Sequence, residues 1–198
     1  MDGGFLQEPA RIGPNAILQL VPVLDRAIGE QARKGMFIGS DVALPPPDAG
    51  MLPEAEVIRL YRALYLWLPE VAPDLLRQAG LATGDYILEN RIPRAAKALL
   101  RVMPAPLVVR VLANAITRHA WTFAGSGAFA VEQFGPLTIC IHNNPLAVGA
   151  ENRPGCHWHA AVFERLFSAL VWPCVHVVET ACCALGDPVC RFEISRKV

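Results

Sequence analysis

Gly186-Asp187-Pro188 constrains the fold more than any other feature of the chain, because it is turn chemistry set between two runs of strand formers. Val175-His176-Val177-Val178 precedes it and Val189-Cys190-Arg191-Phe192-Glu193-Ile194 follows, both rich in β-branched and aromatic residues. The pattern predicts a closing antiparallel hairpin. With its turn centred on Gly186, Cys182 and Cys190 stand opposite one another, where Cβ atoms are about 4.5–5.5 Å apart. One tetrahedral ion can take both sulfurs at that separation. Glu179 lies three residues before Cys182, so a regular strand would point it to the opposite face. A bulge or a strand end between the two is required for the carboxylate to join. Cys156 opens the segment 155–171, which reads as a helix, and a helix N-terminus favours a thiolate.

Two other readings fit the same residues. Cysteine is among the most buried residue types, so the six cysteines can be core thiols. A Cys182–Cys190 disulfide is the third option and needs an oxidising compartment. Residues 1–8 carry neither the basic stretch nor the apolar run of an export signal, so a cytoplasmic location is expected.

The chain has 198 residues, 53% of them apolar and 18% charged. That supports a large core and leaves apolar surplus for a ligand cavity, a dimer interface or a membrane surface. The most apolar stretch, residues 98–116, is interrupted by Arg101, Pro104, Pro106 and Arg110, so no transmembrane helix is expected. The 18 Lys and Arg balance the 18 Asp and Glu, which gives no overall basic field for nucleic acid.

Pro14 can open a helix with an Ile17, Leu20, Val21, Leu24 and Ile28 stripe, kinked at Pro22. Residues 39–53, with Pro45-Pro46-Pro47, read as a linker. Further helices are expected from the Val57, Leu60, Tyr61, Leu64, Trp67, Leu68 stripe, over 72–90 (weakened by Gly80 and Gly84), over 94–103 and over 107–119. The last of these carries a Val108, Val111, Leu112, Ala115 stripe. From Trp121 the period changes, and residues 121–133 and 137–141 read as strands. Clustered helices before strands indicate an α+β fold with a small antiparallel sheet. Residues 1–53 form an N-terminal helix and linker, and 54–198 the main domain.

The run from Gly155-Cys156-His157-Trp158-His159 to Glu179-Thr180-Ala181-Cys182-Cys183-Ala184-Leu185-Gly186-Asp187-Pro188-Val189-Cys190-Arg191-Phe192 resembles the 4-vinyl reductase domain family, whose signature is a helix followed by E-x-x-C-x-x-x-G-D-x-x-C-x-F. The resemblance, not the composition, implies the rest. The fold would be the ligand-binding type shared with transport-particle subunits and haem-dependent gas sensors, with helices and sheet enclosing an apolar pocket and homodimers common. Family members that sense aromatic compounds hold a structural zinc through Cys, Glu, Cys and Cys, which maps onto Cys156, Glu179, Cys182 and Cys190. Cys140, Cys174 and Cys183 match no ligand position and are expected in the core. The wider resemblance is to members serving bacteriochlorophyll synthesis in purple phototrophic bacteria. It implies binding and transfer of a tetrapyrrole, divinyl protochlorophyllide or a magnesium porphyrin, among pathway enzymes, with a place at the photosynthetic membrane. The alternatives are an 8-vinyl reductase fed electrons by a partner and a small-molecule sensor or assembly subunit. No catalytic residue is assigned.

Gly125-Ser126-Gly127-Ala128-Phe129-Ala130 matches a dinucleotide fingerprint in letters, but Gly135-Pro136 leaves no room for the helix that would hold a pyrophosphate. Among the histidines, His119 is the best candidate for a tetrapyrrole magnesium. Arg118 beside it can meet a propionate, and Trp121 and Phe123 can stack on a macrocycle.

Overall fold

The computed structural model describes residues 9–148 and 154–196. Two-residue strands β1 (Arg11–Ile12) and β2 (Leu52–Pro53) pair antiparallel. Between them lie three short helices, α1 (Asn15–Leu18), α2 (Val21–Ile28) and α3 (Glu30–Gly39). Pro22 does not kink one helix. It sits in the first turn of α2, where its missing N–H has no intrahelical acceptor to lose, and the chain breaks before it. Ile17, Leu20 and Leu24 are fully buried all the same. The Pro-rich linker ends by forming β2, a pairing too short to leave a sequence period.

Helices α4 (Glu54–Trp67), α5 (Ala72–Asn90), α6 (Arg94–Val102) and α7 (Ala105–Arg118) follow the expected boundaries closely. The α4 stripe buries Val57, Leu60, Tyr61 and Leu64, whereas Trp67 is 47% exposed. The core stripe of α7 is Val108, Val109, Leu112, Ala113 and Ile116, so Val111 and Ala115 face outward, contrary to the sequence reading. Residues 121–133 are also not one strand. Ala120–Thr122 is a 3-10 turn, fastened by the Thr122 hydroxyl donating to the His119 carbonyl at 2.7 Å. Trp and Phe are strand formers, but this local bond and the left-handed Gly125 turn the chain first, and β3 (Ala128–Phe134) begins only afterwards. The glycine fingerprint therefore leads into a strand.

Strands β3, β4 (Leu137–His142), β6 (Val189–Arg196) and β5 (Val175–Ala181) form a four-stranded antiparallel sheet in that order. Helix α8 (His157–Leu170) lies between this sheet and α5. Close approach of α5 is what Gly80 serves: a Cβ there would be 2.7 Å from Ala161 Cβ and closer still to the Trp158 carbonyl oxygen. Phe163 of α8 packs edge-on against Phe192 of β6 at 5.4 Å and against Phe123 at 5.9 Å. The fold is thus α+β, helices first, with its core between α5, α8 and the sheet.

Candidate metal centre

Four ligand groups converge where α8 meets the hairpin. Cys156 is the residue capping α8, Glu179 lies near the end of β5, Cys182 follows β5 directly, and Cys190 is the second residue of β6. The β5–β6 register shifts between Glu179 and Ala181, which is the bulge that brings Glu179 and Cys182 to one side. Ala181 pairs with Arg191, so Cys182 and Cys190 are the next residues inward on their arms, and Gly186 takes the left-handed turn at φ 90°. One donor atom from each of the four lies within 4.8 Å of the others. Zn–S bonds of about 2.3 Å in a tetrahedron require sulfurs about 3.8 Å apart, within that span.

The surroundings are arranged for anionic sulfur. The Gly155 amide donates to Cys182 Sγ at 3.3 Å, the Cys183 amide to Cys190 Sγ at 3.3 Å, and the Asn144 side-chain amide to Cys156 Sγ at 3.2 Å. Each sulfur thus has its own N–H donor. The Cys156 amide donates to Glu179 Oε2 at 3.3 Å, while Glu179 Oε1 is buried without a partner. A buried orphan oxygen among three sulfurs is what a bound cation would satisfy. Burial, and then the Cys182 sulfur, push the Glu179 carboxyl up to about 8. The Cys156 thiol is pushed well up by its hydrogen bonds to Cys182 and Cys190 and by burial, while those to Cys156 and Cys190 pull Cys182 down. Four acids so close cannot all ionise alone, and a divalent cation would replace the protons they otherwise share. With four protein ligands the tetrahedron closes, leaving no open position for water.

All six cysteines are free. Cys140 is buried as expected, but Cys183 is half-buried and Cys174 exposed. Sequence reasoning missed Asn144, and Asp187 too: its carboxylate accepts from the Cys182 amide at 2.8 Å and fixes the turn. The Gly-Asp-Pro motif was the available signal for Asp187, whereas Asn144 in Asn143-Asn144-Pro145 carries only a turn signal.

The tetrapyrrole candidates lie elsewhere, at the C-terminal end of α7. Arg118 is exposed, His119 caps the helix, and Trp121 is 59% exposed. His119 Nδ1 faces the Ala115 carbonyl at 2.9 Å, so Nδ1 carries the hydrogen and the Nε2 lone pair is available to a ligand. Phe123 turns inward to the Phe129, Phe163 and His159 cluster and offers no outer stacking face. An apolar cleft of about 290 Å³ lies at the other end of α7, lined by Leu100, Met103, Val108, Leu170 and Trp172 among others. That is the lower limit of small-molecule sites, and Arg118, His119 and Trp121 do not line it.

The fold is that of the H-NOX proteins. The Fe(II) unliganded H-NOX protein from K. algicida aligns over 94% of this chain and 97% of its own at TM-score 0.65 and 13% identity. A structure solved to probe haem distortion in the H-NOX family aligns over 94% and 96% at TM-score 0.56 and 8% identity. The 4-vinyl reductase domain matches residues 137–196, a span holding Glu179, Cys182 and Cys190 together with Cys156, all four ligands of the metal cluster. Fold and site together define a 4-vinyl reductase domain protein on an H-NOX-type scaffold. The chain is 58% identical, over 94% of its length and 91% of the relative's, to the bacteriochlorophyll synthase 23 kDa chain of Cereibacter sphaeroides. It belongs to the family of that 23 kDa chain.

Proposed function

We propose that this protein serves bacteriochlorophyll synthesis by holding a tetrapyrrole intermediate, divinyl protochlorophyllide or a magnesium porphyrin, and handing it between pathway enzymes. One observation carries the reading: a chain with near full-length identity to a bacteriochlorophyll synthase component folds as the H-NOX proteins do, a family probed for haem distortion. In this reading Arg118 meets a propionate, His119 Nε2 approaches the central magnesium, and Trp121 stacks on the macrocycle edge. Zinc at Cys156, Glu179, Cys182 and Cys190 has a structural role, tying the hairpin to α8. The protein works as a homodimer, peripheral to the photosynthetic membrane.

Titration of the purified protein with magnesium protoporphyrin tests binding, read by the shift of the pigment's absorption band. A saturable shift supports the carrier, and an unshifted spectrum removes it. Incubation with divinyl protochlorophyllide and a reductant then separates carrier from 8-vinyl reductase: the carrier leaves the pigment unreduced, and a product with a reduced vinyl group would assign the enzyme.

A further inference from the structure

Overall neutrality conceals a segregated charge. Residues 90–131 hold Arg91, Arg94, Lys97, Arg101, Arg110 and Arg118 and no carboxylate, while the rest of the chain sets twelve cations against 18 carboxylates. None of the six forms an ion pair among the described residues. Their recorded partners are neutral: Lys97 donates to the Leu88 carbonyl at 2.7 Å, Arg91 lies over Tyr86, and Arg110 lies over Phe134. The charge of this segment is therefore uncompensated.

Helix α6, at its centre, has no buried residue, and its main contact with the body is α8. Helical spacing puts Arg94, Lys97 and Arg101 on one face and Ala95, Leu99 and Val102 on another. Leu99 is 60% exposed, Val102 79%, and Leu107, just past the Met103-Pro104 corner, 50%. Unpaired cations and exposed aliphatic side chains coincide on one short helix. Anionic lipid meets both needs, with headgroup phosphates for the cations and the acyl boundary for the aliphatics. Nucleic acid would satisfy the cations and leave Leu99, Val102 and Leu107 in water.

We infer that α6 and its corner with α7 form the docking surface for an anionic bilayer. This deepens the membrane-peripheral part of the proposed function and does not depend on tetrapyrrole binding. The apolar cleft lined by Leu100, Met103, Val108 and Trp172 lies directly behind this helix, so an apolar intermediate leaving the bilayer meets it first.

Flotation of the full chain with vesicles of phosphatidylcholine, alone or mixed with phosphatidylglycerol, tests the assignment. Binding is expected only with the anionic lipid and weakens as salt is raised. Arg94→Gln with Arg101→Gln lowers it about thirty-fold. Leu99→Ser with Val102→Ser also lowers it, and neither exposed pair changes the circular dichroism. Binding of both double variants at the parent level overturns the docking surface while leaving the peripheral location standing. Absence of binding to any vesicle overturns both, and equal binding to neutral lipid overturns the charge argument. Tighter binding to duplex DNA than to anionic vesicles overturns the lipid assignment.

Discussion

Gly80→Ala tests the packing that sets Cys156 in place. The new methyl group would stand 2.7 Å from Ala161 Cβ and inside contact distance of the Trp158 carbonyl oxygen. Neither neighbour is a flexible side-chain tip, so α5 and α8 must move apart along their shared face. Overpacking of this kind costs about 1–3 kcal/mol. Alanine's better helix propensity returns about 1 kcal/mol, so a net loss of about 1–2 kcal/mol is expected. For a domain of this size that lowers Tm by about 2–8 °C. Gly35→Ala is the matched control, since it lies inside α3 and a Cβ there meets nothing within 4 Å. It should gain about 0.5–1 kcal/mol, the same chemical change with the opposite sign. Thermal unfolding followed by circular dichroism reads both. A Gly80→Ala protein as stable as the parent would refute the close α5–α8 approach.

Three further outcomes are expected. Asn144→Asp replaces the amide donor to Cys156 Sγ with a carboxylate, and zinc affinity measured by chelator competition should fall about 10–100-fold. Arg118→Ala and His119→Ala should each weaken magnesium porphyrin binding about ten-fold in absorption titrations, with zinc content unchanged because the metal cluster draws on other elements. His159 is buried, which lowers its pKa to about 4 although it bonds to the Phe123 carbonyl. Its folded value lies below the unfolded one, so stability is complete above about pH 6.5 and is lost as pH falls toward 4, by about 3 kcal/mol. Acid titration of His159→Leu should show that loss diminished.

The hairpin and its ligands were legible because their requirements are local. A tight turn needs Gly-Asp-Pro, two facing sulfurs need a set spacing, and the offset of Glu179 demanded the bulge that occurs before Ala181. The helices were legible through their apolar stripes, although Val111 was placed inside because the α7 stripe admits two phases differing by one residue. Asn144 was hidden, since nothing in a loop sequence says which sulfur its amide will reach. Strands β1 and β2, two residues each, have no period to read. Trp121-Thr122-Phe123 misled because strand propensity there loses to one side-chain bond from Thr122 to His119. The cationic run from residue 90 to 131 was present in the sequence and masked by a whole-chain charge of zero.

Metal content tests the central claim, that Cys156, Glu179, Cys182 and Cys190 close around one structural ion. Protein purified without chelators should carry about one zinc per chain, with an absorption-edge spectrum of three sulfur ligands and one oxygen. Cys182→Ala and Cys190→Ala should lose zinc and thermal stability together, whereas Cys183→Ala, whose contribution to the cluster is its backbone amide, should lose neither. Zinc-free protein of full stability, or zinc retained in Cys190→Ala, would contradict the account.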